Sequence, residues 1–152
     1  MATLSFILLA IIFTFVSSSN ASDIVQIVNS GSTNTAGYVI ELKRNGLVHW
    51  TVAPRRHVTI SPESSTTTAP NQIQLPTARA NEIFKAIDEA SPFDQYKPVF
   101  CAKSVSFGTT LHVTYNGQQT PDLNCPMSDQ RLVDLSKYIH DLIDDLHINT
   151  FG

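Results

Sequence analysis

Glu41, His49 and His112 are the residues best suited to acid–base chemistry in this chain. Glu41 and His49 lie on either side of Asn45-Gly46, a hairpin signal, and become direct cross-strand neighbours if the connecting loop is Arg44-Asn45-Gly46. His112 falls on the polar side of an alternating run further along. One carboxylate and two imidazoles on an open sheet face could take a proton from one oxygen and return one to another. That is the chemistry of phosphodiester transfer in small secreted ribonucleases, although no sequence motif of those enzymes is present. The ordinary reading is a solvated cross-strand pair, worth about 0.2–1 kcal/mol to the sheet.

A second cluster could hold a metal. His140, Asp144 and His147 fall at i, i+4 and i+7 of the last amphipathic stretch, a spacing that brings imidazole and carboxylate to one side of a helix. Asp141 and Asp145 extend the same charge run, which fits a solvated surface better than an ion site. Cys101 and Cys125 are the only cysteines. No CxxC or HxxxH accompanies them, so they read as a disulfide rather than a zinc site or a catalytic thiol. GxSxG, HExxH, SxxK, P-loop and GxGxxG patterns are all missing, and no cofactor is implied. Trp50, Tyr38 and Tyr115 could stack on sugars, but alternation places all of them on an inward face.

These residues need elements to hold them. Asp23–Asn29 reads as a first strand, and 30–37 as a small, polar loop. In the hairpin that follows, pairing Lys43 with Leu47 and leaving Gly46 left-handed gives one coherent apolar face of Tyr38, Ile40, Leu42, Val48, Trp50 and Val52. A two-residue turn would mix both faces. A short strand is expected at His57–Ile60, then a Ser/Thr/Pro-rich loop over 61–71 suited to O-glycosylation. A helix runs from Pro76-Thr77 to about Ala90, ended by Ser91-Pro92. Odd positions from Val105 to Tyr115 alternate as one long strand, which Asn116-Gly117 turns into a short one at Gln118–Thr120. Ser128 is expected to cap a final helix reaching Leu146 or His147. The resulting fold is α+β: an antiparallel sheet of four to six strands with two helices packed on one face.

The chain has 152 residues, net charge −3, 42% hydrophobic and 15% charged residues. The charged fraction is below the roughly 25% of an average soluble domain. A weakly acidic chain without clustered Lys and Arg lacks the electrostatic footprint of a nucleic-acid binder. Residues from Leu4 to Val16 are apolar except for Ser5 and Thr14. At about 1.5 Å each they reach roughly 20 Å, short of a hydrocarbon core of about 30 Å. Ser19 and Ala21 then stand at −3 and −1 of a cut after Ala21. The segment 1–21 therefore reads as a signal peptide and 22–152 as one secreted domain, destined for the extracellular space and off the membrane after cleavage. The one glycosylation sequon, Asn20-Ala21-Ser22, would be divided by that cut.

What remains is a stapled scaffold with polar loops, expected to act as a monomer that binds another extracellular protein through Ser32, Thr33, Asn34 and Thr35. The order of elements resembles the emfourin group of small bacterial metalloprotease inhibitors, across IVQIVNSGSTNTAGYVIEL, NEIFKAIDEA, TTLHVTYNGQQ and RLVDLSKYIHDLIDDL. The resemblance lies in architecture and spacing, with no diagnostic motif. It implies protease inhibition through the loop between the first two strands. A small ribonuclease-like hydrolase is the alternative.

Overall fold

The computed structural model describes residues 23–53 and 71–150. The expected signal peptide, the short strand at His57–Ile60 and the Ser/Thr/Pro-rich stretch up to Pro70 lie outside the described residues. Within them the strands are β1 (Ile24–Asn29), β2 (Tyr38–Lys43), β3 (Leu47–Val52), β4 (Asn71–Gln74), β5 (Leu111–Tyr115) and β6 (Gln118–Gln119). The helices are α1 (Thr77–Ala90) and α2 (Gln130–Asp145), with a short 3-10 turn at Phe93–Gln95. All strands join one antiparallel sheet in the order β4-β3-β2-β1-β5-β6.

Alternation decides which side chains face the helices. Val25 and Ile27 of β1, Tyr38, Ile40 and Leu42 of β2, Val48 of β3, and Leu111, Val113 and Tyr115 of β5 are buried on one face. They meet Ile83, Phe84 and Ile87 of α1 and Leu132, Leu135, Ile139 and Leu142 of α2. One rung runs Val113–Ile27–Ile40–Trp50 across four strands, so Trp50 and Val113 share the helix-covered side. Removing this apolar surface from water, at about 25 cal/mol per Å², is the main driving force for the two-layer fold.

The bulged hairpin forms as the face pattern requires. Glu41 pairs with His49 and Leu42 with Val48, and Gly46 has φ +88°. A Cβ at Gly46 would lie 2.8 Å from both Gln74 Nε2 and Leu75 O, on top of the left-handed strain. Gly46→Ala is accordingly expected to destabilise the protein by about 1–3 kcal/mol, read as a lowered denaturation midpoint. An unchanged midpoint would show that this turn can rearrange freely.

Two expectations require correction, and one strand forms where none was expected. The long strand from Val105 shrinks to Leu111–Tyr115, because β1 ends at Asn29 opposite Leu111 and offers no further rungs. Before it, Gly108 N donates to Ser104 O and closes a turn instead. The cap of α2 is Asp129, not Ser128: its carboxylate accepts from Arg131 N at 3.0 Å and also takes the Arg131 guanidinium on both oxygens, an ion pair that a serine hydroxyl could not form. Finally, β4 occupies Asn71–Gln74, a polar stretch with no amphipathic signal; Gln74 Nε2 fastens it by donating to Asn45 O at 2.7 Å.

Candidate functional site

Two loops meet at one end of the sheet. The loop after β1 is set by short-range hydrogen bonds: the Asn29 side-chain Oδ1 accepts from Gly31 N at 2.9 Å, and Ser32 N donates to Thr35 O at 2.8 Å. Ala36 N donates to Thr150 O, tying the loop to the residues beyond α2. The four expected binding residues therefore divide. Thr33 and Asn34 are exposed, while Thr35 is buried and faces inward. Ser32 donates its hydroxyl to Ser106 O at 2.7 Å, and Asn34 N donates to the same carbonyl at 3.0 Å.

Ser106 belongs to the second loop, residues 101–110, which is anchored at both ends. At its start Cys101 is bonded to Cys125, with Cα atoms 5.6 Å apart. Lys103 Nζ then reaches the buried Asp122 carboxylate at 2.7 Å and donates to Thr109 O at 2.6 Å. Asp122 Oδ1 accepts in turn from Leu111 N and Asn124 N, each at 3.0 Å. Burial pushes the Asp122 carboxyl up, but the Lys103 ammonium and these two N–H donors outweigh it and hold the group below the ordinary carboxylate range. With the backbone clamped in this way, Val105 and Phe107 stand in solvent on either side of Ser106, 86% and 61% exposed. Thr33 Oγ1 donates to Val105 O at 3.4 Å, so the polar tip and the apolar tip lie side by side.

The acid–base residues do not converge. Glu41 and His49 are direct neighbours across β2 and β3, and with Val39, Lys43 and Thr51 they line a shallow hollow of about 330 Å³. No hydrogen bond or ion pair joins their side chains among the described residues. His112 shares the open face but sits on β5, level with Val28 of β1 and Val39 of β2. With strands about 4.8 Å apart and β1 intervening, it stands roughly 10 Å or more from Glu41, too far for one small substrate oxygen pair. Its Nδ1 lies 3.0 Å from Thr120 O, which fixes the ring toward β6.

The expected metal ligands are also dispersed. Among the described residues no three His, Cys, Asp or Glu side chains are placed to hold one ion. His140 lies with Nδ1 2.8 Å from Ser136 O and Nε2 3.2 Å from Asn124 Oδ1. His147 has left the helix at φ +48°.

Sequence reasoning missed Val105 and Phe107 as surface residues, because apolar alternation looks the same on a buried strand and on an exposed turn. It also missed Asp122 and Lys103. The one available signal was a lone acid and a lone base, each close to one of the two cysteines. The structure thus defines an α+β sandwich carrying a paired-loop surface, with no helix among the described residues long and apolar enough to cross a membrane. No protein-family model and no curated protein sequence matches the chain.

Proposed function

We propose that this protein is an exported, non-catalytic binding domain that engages another extracellular protein, a secreted protease in the first instance, through the paired loops. The observation that carries this reading is the Val105/Phe107 pair held in solvent on a backbone clamped by a disulfide, a buried ion pair and the neighbouring loop. A clamped backbone has little freedom left to lose on contact, which lowers the ordering cost of binding through these side chains. Exposed apolar side chains on a loop suit a concave, largely apolar cleft, the usual form of a hydrolase active site. The likeness of element order to the emfourin inhibitors points to the same partner class and the same end of the sheet.

The test is inhibition of a panel of secreted proteases by the oxidised protein. One or more should lose activity at stoichiometric protein. The double variant Val105→Ser/Phe107→Ser should bind at least about 100-fold more weakly with an unchanged melting temperature, since buried interface anchors contribute about 2 kcal/mol or more each. Full protease activity at large excess, or an equally potent double variant, would refute the proposal.

A further inference from the structure

The residues of the paired loops carry no charge. None of positions 30–37 or 104–110 is Asp, Glu, Lys, Arg or His, and the adjoining Lys103 is already paired with the buried Asp122. Several hydroxyls are engaged within the loops and at their bases. Ser30 Oγ donates to Gly31 O and accepts from Thr110 N, each at 2.9 Å. Ser32 and Thr33 donate to Ser106 O and Val105 O, and Ser104 Oγ accepts from Ser106 N at 3.3 Å. Against this neutral background Phe107 is the largest exposed side chain of the two loops. It is carried by the turn in which Gly108 N donates to Ser104 O at 2.7 Å, closed so tightly that a Cβ on Gly108 would lie 2.5 Å from that oxygen.

An apolar ring without charged neighbours discriminates between pockets by what it would leave unpaired. A pocket that takes Lys or Arg substrates holds a carboxylate, and one that takes acidic substrates holds a cation. Phe107 would bury either charge without a counter-ion, a penalty that offsets what the ring gains. An uncharged apolar pocket carries no such penalty and gains the contact area of an aromatic side chain. Resting on the protease reading above, we propose that the partner is a protease that cuts beside large apolar residues, and that Phe107 fills its recognition pocket. Val105, two positions earlier on the same clamped turn, packs at the rim. Attraction of this kind is non-ionic, so added salt does not screen it.

The experiment sorts the panel of secreted proteases by recognition pocket: chymotrypsin and thermolysin, which cut beside large apolar residues, against trypsin and a glutamate-specific endopeptidase, which cut beside charged ones. Inhibition by the oxidised protein should be confined to the apolar-pocket enzymes. The inhibition constant should change less than about twofold between roughly 0.05 and 0.5 M NaCl. Phe107→Leu should stay within about tenfold of the parent, and Phe107→Lys should inhibit at least about 30-fold more weakly. Both should keep the parent's melting temperature, since the position is solvated. Comparable inhibition of the charged-pocket enzymes, a steep salt dependence, or a Phe107→Lys variant as potent as the parent would each overturn the pocket assignment while leaving a protease inhibitor in place. A parent without effect on every enzyme of the panel refutes the protease reading itself, and the pocket with it.

Discussion

Replacing Cys101 and Cys125 by serine, or reducing the bridge, is expected to lower stability by about 3–4 kcal/mol, from the entropy regained by a loop of about 25 residues in the unfolded chain. That is a large part of the 5–15 kcal/mol typical of a domain. Cys125 is buried against the body of the protein, whereas Cys101 begins the clamped loop. If the paired loops bind a protease as proposed, the loss should therefore be accompanied by weaker binding even where the fold survives. Denaturant titrations with and without a reductant check the first effect, and inhibition assays under the same two conditions check the second. A midpoint indifferent to the reductant, with both thiols shown to be free, would contradict the expected role of the bridge.

Asp122→Ala should have an effect of similar size. The buried carboxylate accepts from Leu111 N and Asn124 N and holds Lys103 at 2.7 Å. Truncation strands two backbone donors and a partly buried ammonium at once, a loss of about 3–5 kcal/mol for a buried charged partner. Its pH signature separates it from a simple packing defect. Because the folded group titrates below its ordinary range, the native state binds fewer protons than the unfolded one as acid is added. The contribution is thus fully present above about pH 4–5 and is lost as pH falls through the folded value. Asp122→Asn should flatten that part of the acid limb relative to the parent, and comparing midpoints at neutral pH and near pH 3 tests it. Parallel pH profiles for parent and variant would show that Asp122 is not the group responsible. The bridge and the ion pair fasten the same loop, so the combined variant should lose less than the sum of the two single losses.

Much of this architecture could be read from residue patterns where a wrong answer would have been costly to the core. Slipping the β2–β3 register by one residue would turn Val48 and Trp50 to the open face, so the bulged turn at Gly46 follows from the faces alone. The stripe of Leu132, Leu135, Ile139 and Leu142 specifies α2 for the same reason. Where no core contact was at stake the sequence was silent. β4 is Asn-Gln-Ile-Gln, held by backbone pairing with β3, and Ser128 and Asp129 are both good caps until the Arg131 guanidinium is placed. The candidate chemistry failed to assemble for a topological reason. Strand order cannot be deduced from alternation, and the insertion of β1 between β2 and β5 separates His112 from the Glu41–His49 pair. The exposed tip failed to register because Val105 and Phe107 continue the alternation of β5 in sequence but not in space.

The central position of β1 has a consequence for how the protein is made. Its bond to the far side joins Ser30 to Thr110, 80 positions later. The first three strands can form a local meander soon after they emerge, but the second edge of β1 stays bare until nearly the whole chain has been released. During that interval one row of β1 backbone N–H and C=O groups has no neighbouring strand, and such unpaired edges invite association with other chains. A molecule built this way closes its sheet only when the carboxy-terminal third arrives, and gains from being kept unfolded until then.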